Sequence, residues 1–493
     1  MLFEELFTVP EKDFTKHLKI PDNNRILFSS RFGMGKTTFL NYYFEQQKES
    51  VRYNAFHLYP VNYSISHNED IFNYIKYDII YEFLEKGIKV QNTDIEYLKS
   101  VPGFFKKNYL KIATALVYMI PKVGKDVMES YDKLKEISDL FIEYSQNDKK
   151  NSEEEVLNSY MEQIEQANGS IYDNSVITQM ILNILQRLKN ENVADSVTSK
   201  NVLIIDDLDR IDPEHLFRIL NVFAAHFDCP KLQPERDNKF GFDKIILVCD
   251  VENVRNIFQA KYGGNSDFIG YIDKFYSTEI YYYDNKKNIN GILNKFLPST
   301  SERRSNDQEY FLIQTVLGNN SIVPYLMQEF ITQNCINLRT LIKSYQKIPR
   351  IENEYFTLPS GTRMSFSENY PIILQFFYIN DLLGGYYNFK LALNNFTTIT
   401  AEYVPIQVIC NRIFEIIAHK QRNYKPNKSD GLVSWDGEIF HIQDHGKSRS
   451  NTDTFQVMEV KEGQSENYEF SVKQFVMLVS ELAELLNIIG VLR

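Results

Sequence analysis

The sequence predicts an α/β fold: a parallel sheet with helices on both faces, a helical insert, a further helical segment and a C-terminal α+β domain. Three observations predict it. Short apolar runs alternate with segments of helical period. A glycine-bearing loop joins the first of those runs to a helix. A later run ends in two carboxylates, the pattern of a buried parallel strand whose polar end opens on a site. With 493 residues, 43% of them hydrophobic and 24% charged, the chain has the length of about three domains and the composition of a folded protein rather than a disordered one.

The elements follow in order. Residues 25–29 (RILFS) read as a buried strand, 30–38 (SRFGMGKTT) as a loop and 39–47 as a helix. Ala55–Val61 reads as a second strand, and Asn68–Lys86 as a helix with Ile71, Ile75, Ile79 and Phe83 at helical spacing. From 92 to 170 the pattern is helix after helix, broken at Pro102-Gly103 and by the polar run 146–155. A helix over 173–190 leads to the strand Asn201–Asp207. Asp212-Pro213-Glu214 then supplies an N-cap, a proline in the first turn and an acid beside it, opening a helix to about 227. Lys244–Asp250 and Thr278–Tyr283 read as strands four and five, with a helix over 254–260 between them. The chain is then mostly helical to 347, with a charged loop at 301–306. Beyond 351 lie helices at 372–383 and 406–419, a hairpin across 431–461 and a closing helix over 471–489.

Composition excludes several classes of function. Lys and Arg total 54 against 65 Asp and Glu, a net charge of −11, so affinity for nucleic acid or anionic lipid through bulk charge is the wrong default; a local basic patch is left open. The longest apolar stretch, Ile112–Pro121, is interrupted by Thr114 and Tyr118. It is about half of the roughly 20 residues that a membrane span needs. The opening residues, MLFEELFTVPEKDF, lack the basic-then-apolar order of a signal peptide. The four cysteines (Cys229, Cys249, Cys335, Cys410) are dispersed, as reduced thiols would be. The expectation is a cytoplasmic protein without a membrane partner. Its abundant Tyr (32) and Phe (35) are read as core packing.

The chemistry is concentrated in two places. Ser30, Arg31, Phe32, Gly33, Met34, Gly35, Lys36, Thr37 and Thr38 form a phosphate-binding loop in G-x-x-x-x-G-K-[ST] form, with Ser30 in the first glycine slot. Inward-turned backbone N–H groups and the following helix N-terminus hold phosphate oxygens. Gly35 lets the backbone approach, Lys36 reaches the β- and γ-phosphates, and the Thr37 hydroxyl ligates Mg²⁺. A serine in the first slot is tolerated if its φ is ordinary. At the end of the Asn201–Asp207 strand, Asp206 is placed to hold Mg²⁺ from the other side, and Asp207 to orient or deprotonate an attacking water.

Asp206-Asp207-Leu208-Asp209-Arg210 after an apolar strand resembles the second motif of the KAP group of P-loop NTPases. The resemblance extends to Leu247-Val248-Cys249-Asp250, to Tyr271-Ile272-Asp273-Lys274 and to Asn337-Leu338-Arg339-Thr340-Leu341-Ile342-Lys343, and so covers about residues 25 to 350. Ser30 replaces a glycine of that pattern, and Leu338 stands where a proline is common. The resemblance implies a P-loop NTPase parallel sheet, ATP with Mg²⁺ as cofactors, Asp250 as a sensor of the γ-phosphate and Arg339 as a lid arginine reaching the nucleotide. Preference for ATP over GTP rests on it alone. Family members without membrane spans recur in bacterial antiviral defence, which implies that setting and a protein effector. Arg210 has two readings, a partner of Asp209 or a finger donated to a neighbouring subunit; Arg303 and Arg304 are further candidates for such a finger.

The expected organisation is an N-terminal segment (1–24), a P-loop NTPase core (25–91 and 171–290), the helical insert (92–170), a helical lid (291–350) and the C-terminal domain (351–493). The insert is longer than one intervening strand and its helices require and is expected to bury nothing in the nucleotide site, which points to protein contacts and a homo-oligomer. Two weaker constellations lie near the C-terminus. His441, Asp444 and His445 have metal-ligand spacing but sit in a stretch of loop composition. Glu459 and Lys461, with Asp444 or Asp453, have the form of a nuclease core. The expected function is therefore a Mg²⁺-dependent ATPase used as a switch or assembly engine; the competing readings are a scaffold that binds ATP without turnover and an ATP-gated nuclease.

Overall fold

The computed structural model describes residues 2–46, 51–63, 71–88, 176–191, 198–225, 238, 240–296, 321–344, 355–357, 361, 363–365, 371–396, 406–418, 431–444, 455–461 and 464–492. The insert expected at 92–170, the charged loop with Arg303 and Arg304, and residues His445 and Asp453 lie outside them. The chain divides into two units, one of Thr8–Phe32 and Lys36–Asp284, the other of Met1–Phe7, Gly33–Gly35 and Asn285–Arg493.

The first unit is built on a sheet of five parallel strands. Helix α1 (Leu2–Leu18) precedes β1 (Arg25–Ser29), and the loop after β1 opens α2 (Lys36–Glu45). There follow β2 (Val51–Leu58), α3 (Ile71–Glu85), α4 (Val176–Glu191), β3 (Thr198–Ile205), α5 (Pro213–Ala225), β4 (Lys244–Cys249), α6 (Val251–Tyr262), α7 (Phe268–Ile272) and the short β5 (Tyr281–Tyr282). The strand order is β2-β3-β4-β1-β5, and each neighbouring pair runs parallel. Helical crossovers are what parallel neighbours require. The central strands read as continuous apolar runs because both faces are covered: every residue of β4 is buried.

Alternation along the strands sends successive side chains to different layers. Leu27, Leu203, Ile205, Ile245 and Leu247 join one cluster with Ile75, Ile79 and Phe83 of α3, Ile181 and Ile184 of α4, and Leu216, Leu220 and Phe223 of α5. Phe28, the neighbour of Leu27, turns to an aromatic layer. There Phe14 of α1 meets Phe28, Phe39, Tyr43, Phe44 and Tyr281, edge-on, at centroid distances of 4.9–6.4 Å. Such edge contacts suit the ring quadrupoles. The aromatics of this region fill the core.

In the second unit, helices α8 (Lys286–Gly291), α9 (Val323–Thr332) and α10 (Leu338–Lys343) precede a two-stranded antiparallel pair, β6 (Tyr355–Thr357) and β7 (Arg363–Ser365). Helices α11 (Pro371–Leu383), α12 (Tyr386–Asn394) and α13 (Ile406–Ala418) lead to β8 (Gly431–Trp435), β9 (Glu438–Asp444), β10 (Phe455–Lys461) and β11 (Gln464–Asn467), and α14 (Val472–Ile488) follows. The expected hairpin is thus a four-stranded antiparallel sheet, order β11-β10-β9-β8. Its first turn is Asp436-Gly437, both at positive φ (50° and 83°), the backbone a two-residue hairpin demands. Val433, Trp435, Phe440, Ile442 and Val457 face inward and are buried, whereas Leu432 and Ile439 on the other face are exposed. The Phe414 ring of α13 packs edge-on against Trp435 and Phe440, and the Trp435 indole N–H donates to Glu481 of α14 at 2.9 Å. Helix α14 starts with a capping box between Ser471 and Gln474. Among the described residues no helix is long and apolar enough to cross a membrane.

Candidate nucleotide-binding site

β1 ends at Ser29, the chain turns through 30–35, and α2 begins at Lys36. Gly33 and Gly35 have φ of +81° and +89°, a backbone that side chains with a Cβ adopt at a cost of about 1–2 kcal/mol. A Cβ on Gly33 would lie 2.5 Å from the Asn337 side chain, and one on Gly35 would lie 2.8 Å from Leu338. Among the described residues, Asp22, Asp207, Asn334 and Asp436 are the non-glycine residues with positive φ. Ser30 is not one of them, which is why serine fits the first glycine slot. Its N–H donates to the Cys249 carbonyl at 3.1 Å, tying the loop to the end of β4.

The Lys36 side chain is buried and its ammonium donates to the Ser30 carbonyl at 2.7 Å, across the mouth of its own loop. Thr37 donates its hydroxyl proton to Asp206 Oδ2 at 2.6 Å. Sequence order put these residues far apart; the sheet brings them together even though β4 lies between β1 and β3. Asp206 is fully buried just past the end of β3. Its Oδ1 accepts the Asp207 N–H at 2.7 Å, and its Oδ2 also accepts from His57 Nε2 at 3.1 Å. Burial pushes this carboxyl up, but the hydrogen bonds and charge from His57, the Thr37 hydroxyl and the Asp207 N–H outweigh it, and it lies below the ordinary aspartate value.

Asp207 turns away in the left-handed conformation (φ 53°, ψ 33°) and so points differently from its neighbour. Its carboxylate accepts from Arg210 at 2.7 Å, and the Arg210 guanidinium lies 5.3 Å from the centre of the Phe32 ring. Of the two readings of Arg210, the partnership with Asp209 is corrected: within the chain the guanidinium pairs with Asp207. Asp209 instead accepts from Asn253 at 3.2 Å. Its carboxyl is pushed up by burial, against the pull of that bond and of the Lys36 charge.

The remaining site residues are placed as follows. Met34 is buried; Arg31, Phe32 and Thr38 are exposed. Asp250 is the N-cap of α6 and accepts the Glu252 N–H at 3.1 Å, a duty that fixes its carboxylate at the end of β4. Arg339 has an exposed side chain, and its backbone N–H donates to the Gly33 carbonyl at 3.1 Å. It follows Leu338 at the first position of α10, with Asn337 as N-cap; the first position is where proline is favoured in helices, so the leucine there breaks no backbone rule.

Of the C-terminal constellations, His445 and Asp453 lie outside the described residues. Asp444 pairs with Phe455 and Phe440 with Glu459, so Asp444 and Glu459 stand four residues apart along the ladder, about 13 Å at strand rise. Among the described residues no group of three His, Cys, Asp or Glu is placed to hold a metal. A nucleotide-bound Mg²⁺ asks for less, one or two hard oxygens beside phosphate and water, and the Thr37 hydroxyl and Asp206 carboxylate in contact are such a donor set. The hydroxyl gives its proton to Asp206 while its lone pairs remain open to a cation. Sequence reading missed His57 and Asn253: His57 sits inside a run that reads only as a strand, and Asn253 belongs to no motif.

The chain matches the model of the KAP family P-loop domain over residues 18–354. No curated protein and no solved structure matches it. The loop, the parallel sheet and the carboxylate beyond β3 agree with that match, and the chain belongs to the KAP family of P-loop NTPase domains.

Proposed function

We propose that this chain is a Mg²⁺-dependent ATPase that works as a switch or assembly engine in bacterial antiphage defence, as a homo-oligomer with a protein effector. The observation that carries the enzymatic part is the 2.6 Å bond from Thr37 to Asp206, which joins the phosphate loop to the strand-end carboxylate in the apposition a metal-bound triphosphate needs. In this reading Lys36 leaves the Ser30 carbonyl for the β- and γ-phosphates, and Thr37 with Asp206 holds the metal. Mg²⁺, when bound, supplies positive charge against the phosphates. Asp207 accepts a proton from the attacking water. Asp250 senses the γ-phosphate and Arg339 reaches the nucleotide. ATP, the defence setting and the effector are carried over from the family resemblance.

A second reading is a scaffold that binds ATP without turning it over, and the ion pair that occupies the Asp207 carboxylate favours it. Phosphate release by the purified chain and by Lys36→Ala separates the two. Release that vanishes in Lys36→Ala supports the ATPase; tight ATP binding without release supports the scaffold. Light scattering with and without ATP tests the oligomer, and a strict monomer in both states refutes it.

A further inference from the structure

His57 belongs to no motif, yet its placement is specific. Parallel register sets His57 beside Ile204, and on β3 the side chains of Ile204 and Asp206 point the same way, two residues apart. The Asp206 N–H also donates to the Leu58 carbonyl at 3.0 Å, which carries the β2–β3 ladder one step past β3. The His57 ring therefore arrives at the Asp206 carboxylate by sheet register alone. Asp206 only accepts, so Nε2 carries the proton of that 3.1 Å bond.

The other ring nitrogen, Nδ1, is 2.9 Å from the side-chain amide of Asn41. Asn41 lies on α2 four residues after Thr37, hence on the same helix face. Thr37, Asp206, His57 and Asn41 thus close a ring of contacts that starts and ends on the helix of the phosphate loop. Two further contacts lock the imidazole. Its face stacks on Tyr59 with centroids 4.5 Å apart and planes 14° from parallel, and the His57 backbone N–H donates to Glu82 of α3 at 3.2 Å.

We propose that His57 is a positioning residue, which holds the Asp206 carboxylate turned toward Thr37 and thereby sets how tightly a divalent cation is bound with the nucleotide. The inference rests on the reading of Thr37 and Asp206 as the metal-binding pair. A histidine that merely filled space would leave the carboxylate to the Thr37 hydroxyl and the Asp207 N–H alone. Here one carboxylate oxygen is gripped by Thr37 and His57 together, and the other by the Asp207 N–H. Partners of this outer kind typically change metal affinity by about 10- to 100-fold when removed.

The test measures nucleotide affinity by calorimetry across a Mg²⁺ series and again in excess EDTA. His57→Ala is expected to raise the half-saturating Mg²⁺ concentration about tenfold and to leave the affinity in EDTA within about twofold of the parent. His57→Gln, whose amide supplies an N–H at similar reach, should recover most of that loss. Asn41→Ala, at an exposed position on α2, should fold and show a smaller shift in the same direction. An unchanged Mg²⁺ dependence in a folded His57→Ala overturns the inference, as does equal loss in EDTA and in Mg²⁺, which would mark a role in folding only. If His57→Ala does not fold, His57→Gln and Asn41→Ala decide: a normal Mg²⁺ dependence in Asn41→Ala together with full loss in His57→Gln also overturns it. A parent protein whose affinity is indifferent to Mg²⁺ overturns the metal-site reading itself, and is recognised without any variant.

Discussion

Asp207 and Arg210 hold one another at 2.7 Å while Arg210 rests on Phe32, so the acid proposed to handle water is tied to the aromatic side chain of the phosphate loop. The pair is partly exposed, with both side chains in reach of solvent, and such a surface ion pair contributes at most about 1 kcal/mol to stability. Its importance is therefore directional.

Arg210→Ala is expected to leave the unfolding midpoint almost unchanged and nucleotide affinity intact, while phosphate release slows about threefold to tenfold because the Asp207 carboxylate is no longer oriented. Steady-state release with parallel binding measurements reads this. A faster variant would mean that the pair restrains Asp207 instead.

Asp206→Ala and Asp207→Asn should separate metal from water. Asp206 is buried and meets Thr37, so its loss should weaken nucleotide binding in Mg²⁺ by at least about tenfold. Asp207→Asn should preserve binding and lower the hydrolysis rate by about a hundredfold, the scale of a general base. Equal rates in parent and Asp207→Asn would remove Asp207 from the mechanism.

Gly33→Ala tests the loop backbone. The new methyl group must sit at φ +81° and displace the Asn337 side chain, which caps α10 by accepting from the Thr340 N–H at 3.0 Å. Left-handed strain and a lost cap together amount to about 2 kcal/mol. Differential scanning calorimetry should show a lowered transition; an unshifted one would argue against this geometry.

Lys244 gives a pH dependence. Its ammonium donates to the Asn23 carbonyl at 2.6 Å, and burial, with the nearby Lys200 charge, pushes its pKa down to about 8. Between that value and the ordinary lysine value of about 10.4, the unfolded chain binds more protons than the folded one. Stability contributed by this group therefore rises with pH across that window. Lys244→Met removes the titrating ammonium, so the stability of the parent relative to the variant should increase from pH 8 to 10 in urea titrations. A constant difference would show that Lys244 titrates normally.

Much of this architecture was legible in the sequence because its signals are local. The runs read as strands at 25–29, 201–207 and 244–250 are strands in the structure at Arg25–Ser29, Thr198–Ile205 and Lys244–Cys249, and the loop between Ser30 and Thr37 opens a helix as its spacing demands. Ends were less legible: β2 occupies Val51–Leu58 rather than 55–61, and β5 is reduced to Tyr281–Tyr282. Helix α1 went unread, because its apolar residues are interrupted by Pro10 and by charges along the exposed side. Strand order was not legible at all, since nothing in a single strand says which neighbour it pairs with. That order is what delivers His57 to Asp206, so the tie between them was invisible for the same reason. Near the C-terminus a hairpin is legible across 431–461, but β11 carries only Gln464–Asn467, a polar edge without an apolar signature.

Trp435 is the single tryptophan of the chain, and its indole N–H is engaged by Glu481. Intrinsic emission excited at the red edge of the absorption band therefore comes from the C-terminal unit alone. The protein carries its own optical label: a spectral shift during denaturation times the loosening of α14 from the four-stranded sheet, while far-ultraviolet dichroism follows both units. Divergent midpoints between the two signals would count the cooperative blocks of the molecule without any dye being attached.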